Sequence, residues 1–229
     1  MAIRALAFDV FGTLVDWRSG IAGAFRSCGI ADDPEELADA WRARYVPIML
    51  EVNAGRRPWG NFDELHLATL DDVLNERNLT VRDEDRHRLV NGWHRLDPWP
   101  DVRSGLEMLR GRFVTAALSN GHTALLVDLA RHGDLRFDCL LSAELAHAYK
   151  PAPEVYLTAA RLLCVDPSEL MMVATHPGDL KAARRAGLRS AFLERPLEFG
   201  PGSSAREEPD ADESIPYLEE LAARLEEPA

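Results

Sequence analysis

Cysteine is scarce in this chain: three among 229 residues, at Cys28, Cys139 and Cys164. An odd, widely spaced set with no C-x-x-C pair offers no disulfide framework and suits a reducing compartment. Positive charge is also in deficit. Lys and Arg number 26 against 38 Asp and Glu, a formal net charge of −12. That balance argues against nucleic acid as a partner, and an anionic small substrate would need a local pocket of Arg or Lys. No apolar run reaches membrane-spanning length, so no membrane partner is expected. No charged-then-apolar leader pattern opens the sequence, and a cytoplasmic location is expected.

What is present is the make-up of a globular chain, 46% hydrophobic and 28% charged, long enough for one large or two modest domains. The apolar run from Ile3 to Phe8 ends in Asp9, with Gly12 and Thr13 following. Such a run reads as a buried parallel strand opening into a loop. Asp9 then stands at the carboxyl end of a strand, where open α/β sheets place their ligands. By itself it is a metal ligand, an acid/base or a nucleophile.

Residues 16–97 carry only helical signals. Asp33, Pro34 and Glu36 mark a helix start, and Leu37, Trp41, Tyr45, Ile48 and Val52 give one apolar face as far as Gly55. Asn61 with Glu64 marks a second start, and a third helix is expected over 82–96. After Pro98 the pattern changes. Apolar runs at 113–118, 139–141, 170–174 and 190–193 alternate with helical stretches, which predicts a parallel sheet with crossover helices. Residues 198–214 read as a loose loop, and 215–225 as a terminal helix. The expected fold is α/β: a discontinuous Rossmann-like parallel-sheet core (1–15 and 98–229) carrying an inserted all-helical cap (16–97).

Four polar groups recur just after strands: Asp9, Ser119 with Asn120, Lys150, and Asp179. Singly, Ser-Asn-Gly is most simply a turn, Lys-Pro a surface loop and Asp179 a helix cap. Together, at one edge of a parallel sheet, they can share a site.

These residues carry a resemblance. Asp9-x-x-Gly12-Thr13, Ser119-Asn120-Gly121, Lys150-Pro151 and Asp179-x-x-x-Ala183-x-x-Ala186-Gly187 resemble the four motifs of the haloacid dehalogenase superfamily, and the likeness spans nearly the whole core. It implies that Asp9 is a nucleophile, that Ser119 and its neighbour bind the substrate's anionic group, that Lys150 orients and neutralises, and that Asp179 lies beside the nucleophile. Thr13 is expected to hydrogen-bond Asp9.

Within that superfamily most members are Mg²⁺-dependent phosphatases, which use an acid two residues after the nucleophile to protonate the leaving alkoxide. Here that position is Phe11, which has no proton to give. A halide leaves as a weak base and needs none. Four residues before Asp179, where the phosphatases usually carry a further acid, stands Thr175. The chain is therefore similar to the type II L-2-haloacid dehalogenases. That implies no cofactor, no metal, and a small anionic 2-haloacid and water as reactants. The likeness leaves the oligomeric state open, a homodimer being one option. Arg42, directly after Trp41, matches the cap arginine that helps to hold the leaving halide. Val10 and Phe11 supply backbone N–H groups for the substrate carboxylate, Asn120 faces the halogen, and Tyr156 matches a family position. His176 stands where better-known relatives carry Asn, as a group for the water step or a substrate contact. Trp59 is expected to narrow the pocket. The other histidines (66, 87, 94, 122, 132 and 147) show no metal-binding spacing. A phosphatase and a non-catalytic binding protein remain the alternatives.

Overall fold

A computed structural model describes residues 2–202 and 209–225. The first strand, β1 (Ala5–Phe8), is buried along its whole length, as its unbroken apolar sequence requires. Five helices follow before Pro98: α1 (Trp17–Ser27), α2 (Pro34–Ala43), α3 (Tyr45–Asn53), α4 (Phe62–Glu76) and α5 (Asp83–Gly92). They pack on one another, α1 against α2 and α5, and α4 against α2 and α5. The caps read from sequence are made. Asp33 accepts from the Glu36 N–H, and Asn61 and Glu64 form a reciprocal capping box. The chain leaves and re-enters the sheet region side by side. Val15 bridges Pro98, Asp16 N–H donates to Asp97 O at 2.9 Å and Trp99 N–H to Leu14 O at 3.0 Å.

Beyond them run α6 (Val102–Arg110), β2 (Val114–Ser119), α7 (Thr123–Gly133), β3 (Cys139–Ser142), α8 (Pro153–Leu162), β4 (Leu170–Ala174), α9 (Pro177–Arg185), β5 (Arg189–Leu193), β6 (Glu213–Ile215) and α10 (Leu218–Arg224). The strands form one parallel sheet in the order β3-β2-β1-β4-β5-β6. The chain winds outward from β1 to β3, then returns to the other side of β1. That reversal leaves a crevice at the carboxyl ends of β1 and β4. Phe8 is in register with Ala117 and Val173, so the residues just past β1, β2 and β4 come to one level.

Three expectations are corrected. The single helix read over 33–55 is two helices that part at Arg44. Pro47 explains the break: it has no N–H to give, and its ring would clash with the carbonyl four residues earlier, at Ala43. The terminal helix read over 215–225 starts only at Leu218, because Ile215 closes the short edge strand β6. That strand in turn takes the end of the stretch read as a loose loop over 198–214, of which 203–208 lie outside the described residues. With one apolar residue in three, β6 has no periodicity to reveal it.

Candidate active site

Asp9 sits one residue past β1 and is 6% exposed. Both of its carboxylate oxygens are engaged. Lys150 Nζ donates to Oδ1 at 2.8 Å. Thr13 Oγ1 donates to Oδ2 at 2.7 Å, and His176 Nδ1 lies 2.9 Å from the same oxygen. Thr13 is itself fixed, since its hydroxyl accepts from the Thr175 N–H at 3.0 Å. Burial pushes the Asp9 carboxyl up, but the facing Lys150 and His176 outweigh it and hold the group well below the usual carboxylate range.

Lys150 reaches both acids. Its ammonium lies 2.6 Å from Asp179 Oδ2 as well as against Asp9. Burial would lower its pKa; the two carboxylates, Asp179 foremost, reverse this and raise it. The lysine's backbone is held by Asn120, whose Oδ1 accepts the Lys150 N–H at 2.7 Å. Asp179 occupies the first turn of α9, where the helix dipole favours negative charge. Its Oδ1 accepts from the Tyr156 hydroxyl at 2.5 Å. Burial, then the charge of Asp179, raises the Tyr156 pKa, so the phenol stays a donor.

His176 precedes α9 and is held from both sides. Its Nε2 lies 3.0 Å from Glu198 Oε1, and the same oxygen accepts from Trp17 Nε1 at 3.1 Å. Burial lowers the imidazole pKa, while Glu198 and then Asp9 raise it, to about 9. The ring is therefore an imidazolium at neutral pH when Asp9 is ionised. Glu198 is 1% exposed and presses on Gly12. A Cβ built at Gly12 would come within 2.2 Å of Glu198 Oε1, and the φ of +85° there independently favours glycine.

Helices α2 and α3 border the space above Asp9. Trp41 is fully buried, with Nε1 on His66 O and Thr69 Oγ1, both at 3.1 Å, and ties α2 to α4. The next residue, turned about 100° around the helix, is Arg42. Its guanidinium stacks 4.1 Å above the Tyr45 ring, and its buried Nε has no hydrogen-bond partner among the described residues. Phe11 forms the apolar wall, stacked on Phe62 at 5.0 Å and edge-on to Trp93 at 5.7 Å. The result is a cavity of about 210 Å³ bordered by Asp9, Phe11, Arg42, Asn120, Lys150 and His176, with Tyr45, Tyr156 and Asp179 also on its walls.

Of the residues expected at the site, Asp9, Phe11, Arg42, Asn120, Lys150, Tyr156, His176 and Asp179 line this one cavity, and Thr13 lies directly behind Asp9. Val10 is buried and is not among the cavity residues. Among the described residues no hydrogen bond engages the N–H of Val10 or of Phe11. Ser119 is wholly buried, and its Oγ accepts the Gly121 N–H at 3.1 Å, which makes it a turn-former beneath the site. Trp59 is not among the cavity residues. It stacks on Tyr149 at 4.6 Å, whose hydroxyl donates to Gly60 O, so it braces the loop before α4 instead of narrowing the pocket. Two residues that the sequence did not flag are Tyr45, delivered by the helix break before Pro47, and Glu198. Glu198 follows no motif and sits in a stretch with loop composition, so no local signal marks it.

The sheet, the strand-end Asp9 and the buried Lys150–Asp179 pair define a class before any comparison is made. The model for haloacid dehalogenase-like hydrolases matches residues 3–187, and the chain belongs to that family. The chain is 33% identical, over 84% of its length and 85% of the relative's, to (S)-2-haloacid dehalogenase 1 of Pseudomonas sp. (strain CBS-3). It is 27% identical, over 84% and 86%, to haloacetate dehalogenase H-2 of Moraxella sp. (strain B). The solved structure of an L-2-haloacid dehalogenase, 45% identical, superposes with a TM-score of 0.92 over 97% of this chain and 98% of that one. A defluorinating L-2-haloacid dehalogenase, 38% identical, gives 0.93 over 97% and 95%. Within the family the chain thus stands with the enzymes that act on carbon–halide bonds, as a hydrolase of the (S)-2-haloacid dehalogenase type.

Proposed function

We propose that this enzyme hydrolyses short 2-haloacids, of the haloacetate or L-2-halopropionate class, to 2-hydroxy acids through an aspartyl ester on Asp9, without a metal. In this reading residues 16–97 act as the cap and residues 1–15 with 98–229 as the catalytic core. The observation that carries it is the pairing at Asp9: an ionised, buried carboxylate on the wall of a small cavity, with an apolar ring, Phe11, where ester hydrolysis of a phosphate would need an acid.

The size of the cavity favours a substrate of a few heavy atoms. The N–H groups of Val10 and Phe11 are the donors available to the substrate carboxylate. Arg42 and Asn120 then face the halogen. Oδ2 of Asp9 already takes two donors and Oδ1 one, so a lone pair on Oδ1 is left to attack C2 from the side opposite the halide. The C–O ester bond forms as the C–halogen bond breaks, and halide departs with the electron pair, inverting C2. The Lys150 ammonium bridges Asp9 and Asp179, a charge balance that a divalent cation would otherwise supply.

The second step needs a base. Once Asp9 is an ester it no longer carries the charge that helps to hold the His176 proton, and the imidazole becomes easier to deprotonate. The imidazolium gives its proton to solvent, and neutral His176 then takes a proton from water as the water attacks the Asp9 ester carbonyl. His176 returns that proton to the departing alkoxide of the 2-hydroxy acid and takes up the proton of the regenerated Asp9 carboxylic acid, which restores the imidazolium–carboxylate pair. The sum is haloacid plus water giving hydroxy acid, halide and a proton. Glu198 orients the imidazole and stabilises its charged form, the part an acid plays behind a catalytic histidine.

The test is halide and phosphate release from L-2-chloropropionate, chloroacetate and p-nitrophenyl phosphate, each with and without EDTA. Chelator-resistant halide release is expected. Chelator-sensitive phosphate release with no halide overturns the reading.

A further inference from the structure

Away from the cavity, three ligand-type side chains from distant parts of the chain meet where the cap helices touch the core. Asp63 lies in the first turn of α4, His94 just beyond α5, and His122 at the start of α7. Their ligand atoms all lie within 4.8 Å of one another. His94 Nε2 is 3.1 Å from both oxygens of Asp63, and His122 Nε2 is 3.6 Å from Asp63 Oδ2. We propose that Asp63, His94 and His122 form a binding site for a divalent transition-metal ion of the Zn²⁺ class, clamping the helical segment to the sheet domain.

Hydrogen bonding alone leaves two features unaccounted for. His122 is only 8% exposed, yet neither ring nitrogen makes a hydrogen bond among the described residues, and its Nδ1 is fully enclosed. Its Nε2 points at Asp63 from beyond hydrogen-bond range. His94 has carboxylates at both nitrogens, with Asp128 Oδ2 2.8 Å from Nδ1, but a neutral imidazole has only one N–H. An ion against Nε2 resolves both. The N–H then sits on Nδ1 and donates to Asp128, the carboxylate–histidine–metal arrangement that fixes a ligand's tautomer and ring orientation. The Nε2 lone pairs of both histidines and an Asp63 oxygen converge on the ion.

The spacing agrees. Tetrahedral bonds of about 2.0–2.1 Å to nitrogen and oxygen set ligand atoms roughly 3.3 Å apart, and the observed 3.1 and 3.6 Å fall on either side of that value. Two imidazoles with one carboxylate suit Zn²⁺, and are the wrong donors for Mg²⁺ or Ca²⁺, which take oxygen ligands. The Asp63 side chain is 32% exposed, which leaves a water its fourth place and the ion its access. His122 is two residues from Asn120, so an ion here would stiffen the turn that holds Lys150 without joining the chemistry.

The test uses tag-free full-length protein stripped with chelator and dialysed. Calorimetric titration with Zn²⁺ should give one ion per chain and a raised melting temperature, with no response to Mg²⁺. Co²⁺ should give the strong visible bands of a tetrahedral N/O site. His122→Ala should abolish all three. Asp128→Asn, at an exposed side chain, should weaken Zn²⁺ binding by about 10–100-fold. No saturable Zn²⁺ binding to the wild type, or binding that both variants leave unchanged, overturns the proposal.

Discussion

Glu198 Oε1 lies 3.0 Å from Nε2 of His176, on the side of the ring away from Asp9. The pairing gives the imidazole a fixed orientation and a raised pKa of about 9. If His176 is the base of the second step, replacing the buried acid changes when that base is free. Glu198→Gln should move the pH limb of kcat for chloroacetate to lower pH, because the imidazolium loses the Glu198 charge that does most to raise its pKa. It should also lower the maximal rate by about 10–100-fold, the usual scale for a general base made less effective. An acid that only packs would leave the limb where it is.

The same pair sets a pH dependence of stability. His176 has a folded-state pKa above its unfolded value, about 9 against an ordinary 6.5. Its contribution is fully present below about pH 6.5 and is lost as pH rises through about 9. Asp9 has the opposite sign. Its depressed pKa contributes stability above about pH 4 that disappears as the solution is acidified. Urea denaturation of the wild type between pH 6.5 and 9.5 should show declining stability, and His176→Asn should flatten that decline. A parallel decline in the variant would place the titration elsewhere.

Arg42 brings a cation from α2 to the cavity wall, where it is oriented by stacking on Tyr45. Arg42→Ala should reduce kcat/KM for halide release by about 100-fold, near 2.7 kcal/mol of transition-state stabilisation. Arg42→Lys should recover little, since an ammonium lacks the planar fork that stacks on the ring. An alanine variant with unchanged kcat/KM would remove Arg42 from the halide site.

His66 is 2% exposed and stacked 4.0 Å from Phe62, and neither ring nitrogen has a partner among the described residues. Burial drives its pKa well below the usual value, so the ring is neutral and its polar atoms are unsatisfied. His66→Leu removes that desolvation cost of about 1–3 kcal/mol at the loss of some aromatic contact, worth about 0.5–1.5 kcal/mol. A net gain of about 1 kcal/mol, or 2–4 °C in Tm, is expected by calorimetry. A lowered Tm would mean the ring has a polar partner.

How far the sequence reached can be traced residue by residue. Strands β1 to β5 were legible because each lies in a mainly apolar run, and Asp9, Lys150 and Asp179 because each follows one. Pro47 was equally visible, but the apolar spacing from Leu37 to Val52 masked the break it makes, and with it the delivery of Tyr45 to the cavity. Glu198 left no trace. It acts through a tertiary approach to His176 and Gly12 that no local pattern encodes. Trp59 shows the reverse error: a large aromatic near the cap was given to the pocket, while packing on Tyr149 claims it. His94 and His122 lie far apart in sequence and meet only through the docking of helices onto the sheet.

The central claim is that Asp9 is alkylated and that water attacks its carbonyl, never the substrate carbon. A single turnover in H₂¹⁸O, with enzyme in excess over L-2-chloropropionate, separates the two routes. Mass spectrometry of the tryptic peptide covering residues 5–18, which holds Asp9 between Arg4 and Arg18, should then show one ¹⁸O in the enzyme, and the lactate formed should carry none. ¹⁸O in the lactate of that first turnover, with an unlabelled Asp9 peptide, would contradict the account.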